Sequence, residues 1–392
     1  MRPRGARVLH LRKPLARALH AGHPWLYRDA LDPFDAEPGE VVTVLDKSRR
    51  FLARGLAEAG PIGVRVFTTR DEPLDVAFFE RRIEAALVLR ARVVPGATDA
   101  YRLLHGEGDR LPGMVCDRYG NFAVLQLDGA AACAWQDQLC EWLRKPLAVL
   151  GMAGLLVRSR SERKQRVAQA WGDAPADPIV VEEHGMKLCA SLWHGQKTGL
   201  FLDHRESRRR VRELSMGLRV LNLYGYTGGF SVAAGLGGAS HVTTVDSAAP
   251  ALELARKSFE ANGLDPARHA LCAADVPEQL QALSAQRARF ELIVADPPSF
   301  APSEAAKPAA LESYAALHTA ALKLLAPGGL YLAASCSSHV DRDDFEQSLR
   351  EGSRRARRTL QLLERTGAPA DHPRLLGFPE GDYLKVVLLR AW

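Results

Sequence analysis

Cys336 follows the apolar run "LYLAAS" and is flanked by Ser335 and Ser337. A cysteine at that point can be a small core hydrophobe or a nucleophile whose working form is the thiolate. Forty residues earlier, "FELIVADPPSF" ends a second apolar run in Asp296-Pro297-Pro298. Two prolines fix φ and remove two amide donors. The exit is therefore stiff, and the carbonyls around Pro297, Pro298, Ser299 and Phe300 can accept bonds from a planar substrate. A thiol and a carboxylate so placed suit a pyrimidine. Thiolate addition at C6 of cytosine turns the ring into an enamine that is nucleophilic at C5, while Asp296 holds the base edge and assists ring protonation. The base must leave its stack to be reached, and a depressed thiol pKa is expected. From strand-edge placement alone, a catalytic and a structural Cys336 stay equally open.

The stretch "VLNLYGYTGGFS" (220–231) reads as a buried strand, a glycine-rich turn and a helix start. Gly225, Gly228 and Gly229, among Tyr224, Tyr226 and Thr227, allow the backbone to approach a ligand, and the helix N-terminus favours negative charge. The spacing is not G-x-G-x-x-G, which argues against a dinucleotide pyrophosphate and a nicotinamide dehydrogenase. Asp246, 21 residues after Gly225 and followed by Ser247, ends the next strand and can accept both ribose hydroxyl protons. Asp275 ends the third strand and can reach an adenine edge. An adenosine cofactor without a pyrophosphate points to S-adenosylmethionine. Upstream, "HGQKTGLFLDHRESRRR" (194–210) gathers Lys197, Asp203 and Arg205 around Phe201. It reads as a lid beside cofactor and RNA, or as a solvated helix start with Asp203 as N-cap.

These residues need elements to carry them. The 392-residue chain, 47% hydrophobic, exceeds one ordinary domain. Residues 1–70 contain the strand candidates "ARVLHLR", "EVVTVLD", "FLARGLAE" and "GVRVFTT", separated by turn signals. Residues 76–94 have helical periodicity. "GMVCDRYGNFAVLQLD" and "VVEEHGMKLCASL" read as hairpins around a helix that sets Cys133, Leu139, Cys140 and Leu143 near one face. From about 195, strands and helices alternate. "RVLNLY", "HVTTVD", "HALCAAD", "FELIVAD", "LYLAAS", "LQLLER" and "YLKVVLLR" give seven strands of an α/β, doubly wound, mostly parallel sheet. "APGG" should end the helix before the fifth strand, and His318 on that helix reads as packed rather than ligating.

The net charge of +6 resides entirely in residues 1–70, which hold 13 Lys and Arg against 7 Asp and Glu. With His23, Trp25 and Tyr27 inside that stretch, a polyanion partner is expected. The six cysteines form no C-x-x-C pair, so no metal site is expected, and scattered thiols suit a cytoplasmic location. No apolar run approaches a membrane span, and the basic start lacks the apolar core of a signal peptide.

"NLYGYTGGFS", "TTVD", "VADPPSF" and "SCSS" resemble motifs of class I S-adenosylmethionine-dependent RNA methyltransferases. "EEHGMKL", "HGQKTGLFLDHRESR" and "HPRLLGFPEGDYLK" are similar to stretches of the ribosomal large subunit methyltransferase I family. "HPWLY", "PGEVVTVLD" and "FLARGLAE" resemble a PUA RNA-binding module. The resemblance implies a β-rich PUA domain (1–73), a central α+β domain (74–178) and a Rossmann-like class I methyltransferase domain (179–392). It implies cytosine-C5 methylation of 23S rRNA, with Cys336 as nucleophile and Asp296 on the substrate side. Arg205, His23 and Trp25 would meet RNA, and Lys197, Phe201 and Asp203 would border the cofactor. Large-subunit rRNA or a ribosome assembly intermediate would be the partner; a homodimer is left open. Many RNA cytosine-5 enzymes carry a second cysteine after the Asp-Pro-Pro motif, where this chain has Ser299. The competing readings are an rRNA guanine-N methyltransferase without covalent catalysis and a non-catalytic RNA-binding protein.

Overall fold

The computed structural model describes residues 7–161 and 164–392, so the first six residues of the basic stretch lie outside them. The chain divides into two compact units. One takes in the chain up to Pro95, Asp99–Ala176 and Ala370–Gly381. Among the described residues it contains two five-stranded sheets. The first joins Arg7–His10, Val41–Leu45, Phe51–Ala57 and Ile62–Thr68, the four segments whose alternation is readable in sequence, with a short strand Trp25–Tyr27 that three residues could not announce. The second sheet packs against helices Val76–Val93 and Gln136–Val149 through Phe78, Ile83, Leu139 and Leu143. Cys133 and Cys140 are only half-buried beside that core, whereas Cys116 lies within it. Arg65, buried on the first sheet, pairs with Glu58, Glu107 and Asp128, each at 2.9 Å. A buried guanidinium needs this full set of carboxylates to offset its lost hydration.

The other unit comprises Gly96–Thr98, Asp177–Pro369 and Asp382–Trp392. Its seven-stranded sheet contains β1 (Arg219–Leu223), β2 (His241–Asp246), β3 (His269–Ala273), β4 (Phe290–Ala295), β5 (Leu325–Ser335), β6 (Leu360–Thr366) and β7 (Lys385–Ala391), in the order β3-β2-β1-β4-β5-β7-β6. Only β7 runs antiparallel to its neighbours. Six helices flank the sheet: α1 (Arg205–Leu214), α2 (Gly229–Leu236), α3 (Ala249–Ala261), α4 (Val276–Ala285), α5 (Lys307–Leu324) and α6 (Arg342–Ala356). The central strands β1, β4 and β5 are apolar on both faces because helices cover both, whereas the edge strand β6 is largely exposed. Leu221, Ile293 and Tyr331 face α4, α5 and α6. Val220, Leu292 and Leu332 face α1 and α2.

Two local expectations change. The "APGG" segment already belongs to β5, which starts at Leu325; its pairing with β4 breaks after Leu325↔Phe290 and resumes at Leu330↔Leu292. Pro327 has no N–H to donate, and Gly328 takes φ +77°, so the chain bulges there without leaving the strand direction. Asp203 does not cap α1, whose N-cap is His204; its carboxylate accepts instead from the Tyr383 hydroxyl at 2.8 Å. His318 is packed as expected, its Nδ1 2.8 Å from the Tyr331 hydroxyl. Burial pushes its pKa down to about 3 and keeps it neutral. At the start of α6, Asp341 and Asp344 form a reciprocal capping box.

Candidate active site

The register aligns the carboxyl ends of the central strands. Leu223 pairs with Val245 on one side and Ala295 on the other, and Ala295 pairs with Ala333. The residues that follow therefore emerge at one sheet edge, where the strand order reverses about β1 and open α/β sheets bind ligands. A cleft of about 220 Å³ opens there. Cys336, Asp296, Pro297 and Pro298 line it, together with Tyr224, Gly225, Tyr226, Thr227 and Gly229. Asp246 and Ser247 join them from β2, and Phe201 and Asp203 from the segment before α1.

The turn after β1 is backbone-strained. Tyr224 and Tyr226 adopt φ of +58° and +46°, a region that bulky side chains occupy only when the surroundings enforce it. Asp246 supplies part of that enforcement. One carboxylate oxygen accepts from the Tyr226 amide and the other from the Ala248 amide, both at 2.8 Å. Each oxygen keeps a second lone pair for a ribose hydroxyl. The glycines prove to be required by the protein itself. A Cβ on Gly225 would lie 2.4 Å from Thr244 Cγ2, and one on Gly228 would lie 2.6 Å from Ala255 Cβ on α3. Gly228 thus sits behind the cleft wall and not in it.

Several other expected residues fall outside the lining. Asp275 is the N-cap of α4 and accepts from the Glu278 amide. Lys197 is exposed, in a left-handed conformation at φ +53°. Ser299 stands one residue beyond the lining prolines, its hydroxyl 3.0 Å from that of Ser337. Phe300 packs on Tyr314 at 4.8 Å between ring centres. Arg205 is buried at the start of α1 and donates to Glu206 at 3.1 Å. His23 and Trp25 belong to the other unit. Trp25 donates its indole N–H to Glu107 at 2.9 Å and sits edge-on to Phe378 at 4.7 Å; His23 packs on the same ring. An indole so engaged is not an open stacking platform.

Three residues of the site carry no obvious mark in the sequence. His204, between Asp203 and Arg205, is buried with its Nε2 3.2 Å from Asp296 Oδ2. Burial alone would lower its pKa, but the adjacent Asp296 carboxylate outweighs it and the pKa is raised. Arg208 reaches the cleft wall from α1, fully paired with Glu183 at 2.6 and 2.5 Å. Lys385, at the start of β7, is buried and donates to the carbonyls of Ser337 at 2.6 Å and Tyr383 at 2.8 Å. Burial pulls its pKa down to about 8, partly countered by Cys336. A lysine opening an otherwise apolar strand was the one available signal, since lysines are almost never fully buried without partners.

The thiol corrects an expectation. Its pKa is pushed up to about 11, first by burial and then by the Asp296 carboxylate; Lys197 and Lys385 pull it down and Asp203 pushes it up. The resting group is a thiol because the cleft is secluded and faces a carboxylate.

Comparison with known proteins bears on what binds here. Residues 145–390 match the S-adenosylmethionine-dependent methyltransferase family and residues 9–69 the PUA-like domain. A ribosomal RNA large subunit methyltransferase from Deinococcus radiodurans is 39% identical over 97% of each chain. Ribosomal RNA large subunit methyltransferase I of Erwinia tasmaniensis is 36% identical over 96% of this chain and 97% of its own. The chain belongs to the ribosomal RNA large subunit methyltransferase I family. A Streptococcus mutans chain assigned to the SAM-dependent methyltransferases shares the fold, with a TM-score of 0.87 at 24% identity over 98% of this chain and 100% of that one.

The cofactor of this family member is S-adenosylmethionine, and the cleft suits it. Asp246 has spare acceptor capacity, and the strained Tyr224–Tyr226 turn forms one wall. Tyr226 also ties the wall to the 194–204 segment. Its hydroxyl accepts from the Gln196 amide at 2.7 Å and donates to the Gly199 carbonyl at 3.2 Å. Tyr226→Phe removes both bonds. At about 1 kcal/mol net, the Kd for S-adenosylmethionine measured by calorimetry should rise about fivefold. An unchanged Kd would mean that the segment does not shape the cofactor site.

Proposed function

We propose that this protein methylates C5 of a cytosine in large-subunit (23S) rRNA through a covalent Cys336 adduct. The observation that carries this reading is that Cys336 and Asp296 line one cleft with the cofactor-side turn. Covalent cytosine chemistry needs that placement, whereas guanine-N methylation has no use for the thiol. The names of the relatives, ribosomal RNA large subunit methyltransferases, supply the RNA class.

Cys336 loses its proton to solvent, and the thiolate forms a bond from Sγ to C6 of the base. The C5=C6 electron pair moves toward the ring nitrogen and carbonyl, making C5 nucleophilic in the manner of an enamine. Asp296 holds the amino and N3 edge, and His204 behind it, at 3.2 Å, keeps a proton available for that edge. The cofactor supplies an electrophilic methyl group. A base then takes the C5 proton; the C–H pair restores C5=C6, and the C6–S bond breaks to return the thiolate. Pro297 and Pro298 form the stiff floor for the flipped base. Asp246 and Ser247 serve the ribose, while Phe201 and the Tyr224–Thr227 turn wall the cofactor. The PUA domain (1–73) and central domain (74–178) would hold the RNA for the methyltransferase domain (179–392), and the enzyme would act in the cytoplasm on rRNA or an assembly intermediate.

Incubation with labelled S-adenosylmethionine and unmodified 23S rRNA should place label in 5-methylcytidine. Label in a methylguanosine would sink the cytosine reading, and no label in any nucleoside would sink catalysis on this RNA.

A further inference from the structure

A second cleft, of about 330 Å³, lies wholly within the N-terminal unit. The loop His20–Pro24 and the end of strand Ile62–Thr68 form one side, and the first turns of helix Val76–Val93 the other. Four arginines line it: Arg70, Arg81, Arg82 and Arg110. Glu72 is the only acid in the lining; it is taken by Arg81 at 3.1 Å and by the Thr68 hydroxyl at 2.8 Å. Among the described residues, Arg70, Arg82 and Arg110 have no carboxylate partner. Arg82 lies over the Phe78 ring at 5.1 Å, and Arg70 and Arg110 are exposed. Arg110 holds φ +59° at the end of the turn Gly106–Asp109, a strained setting for a side chain of its length.

This arrangement contrasts with three other arginines of the unit that lie at or near the core. Arg65, Arg90 and Arg102 each have matched carboxylates. Gathering unpaired like charges costs energy in the free protein, and the cost is felt at Arg82. Burial and then the charge of Arg110, with Arg70 and Arg81, lower its pKa, and Glu72 counters only part of this. Guanidinium groups facing one hollow relieve that repulsion when they meet phosphate oxygens, which they bind in a bidentate fashion.

We propose that this cleft seats the sugar-phosphate backbone of the substrate RNA, with Arg70, Arg82 and Arg110 as phosphate contacts. The inference deepens the rRNA reading above and rests on it for the identity of the RNA. It also relocates the RNA contact from Trp25, whose indole is engaged, to the neighbouring hollow. Phosphate contacts position an RNA without reading its sequence, so the cleft contributes affinity and leaves base choice to the Cys336 site.

The test uses the full-length protein and a fluorescent fragment of large-subunit rRNA. The double charge reversal Arg70→Glu/Arg110→Glu changes two exposed residues, and Arg82→Gln is the milder companion. Anisotropy titrations across salt should show the double variant binding at least about tenfold more weakly at low salt. Its slope of log affinity against log salt should be shallower by about 0.7 per lost phosphate contact. KM for RNA should rise with kcat and S-adenosylmethionine affinity unchanged. Inorganic triphosphate should fail to displace RNA at micromolar concentration; displacement would assign the cleft to a small anion and overturn the proposal. Unchanged slope and KM in both variants, or a wild type that binds no RNA, would also overturn it. A wild type that binds RNA with the expected slope loss in the variants, yet transfers no methyl group, leaves this site standing and removes the proposed reaction.

Discussion

Replacing Cys336 with alanine is expected to cut methyl transfer to large-subunit rRNA by at least about 10³-fold, the scale on which removal of a covalent nucleophile acts. Affinity for S-adenosylmethionine should stay within about twofold. The side chain is only partly buried, at the edge of the core, so the variant should fold, and an unchanged melting temperature checks this. A second readout separates covalent from merely structural roles. RNA carrying 5-fluorocytidine has no C5 proton to lose, so the adduct that Cys336 forms cannot resolve. Wild type with cofactor should give a denaturation-resistant protein–RNA band, and Cys336→Ala none. Retained activity, or a band in both proteins, would assign the chemistry elsewhere.

The same thiol sets the pH dependence. With its pKa pushed up to about 11, Cys336 is protonated at neutral pH, and the reactive fraction grows about tenfold per pH unit below that value. kcat/KM should therefore rise between pH 7 and 9, since that profile reports the free enzyme's groups. Lys385, with a pKa pulled down to about 8, loses its charge inside this window. One of the two cations that lower the thiol pKa then disappears, so the rise should flatten above pH 8. A profile flat from pH 7 would indicate a thiolate already formed.

The sequence showed most clearly what is local. Apolar runs bounded by turns locate the seven strands; in the central ones two-sided burial leaves near-continuous hydrophobic segments, while the exposed edge strand Leu360–Thr366 shows only as a short leucine-rich run. "DPP" and "SCSS" followed two of these, and parallel register placed them at a common edge. Contacts across long separations were not legible. His204 meets Asp296 only because the segment before α1 folds back over the β4 exit. Lys385 reaches Ser337 because β7 inserts antiparallel beside β5. Segment Ala370–Gly381 interrupts the methyltransferase sequence yet belongs to the N-terminal unit, where Phe378 covers Trp25. No periodicity encodes that return. The thiol pKa is not legible in sequence for the same reason: its sign depends first on how deeply the sulfur is buried and then on which carboxylate faces it in space.

Asp296→Asn is the substitution that tests this spatial logic, because two of its effects point in opposite directions. The amide keeps the shape of the side chain but cannot take or give a proton, so methyl transfer should fall by about 10²- to 10⁴-fold, the range for loss of an acid–base group. The carboxylate is also the second-largest cause of the raised Cys336 pKa, after burial. Its removal lowers that pKa, so iodoacetamide at fixed pH should alkylate Cys336 faster in the variant than in wild type. His204 provides a third readout. Its pKa is raised against burial chiefly by Asp296; without that charge the imidazole should deprotonate at lower pH, visible in its ring-proton NMR titration. A nucleophile made more reactive inside an enzyme made slower is what an acid–base role for Asp296 requires. If alkylation and turnover fell together, Asp296 would be a scaffold residue whose loss disorders the β4 exit, and the ring-protonation step assigned to it would be wrong.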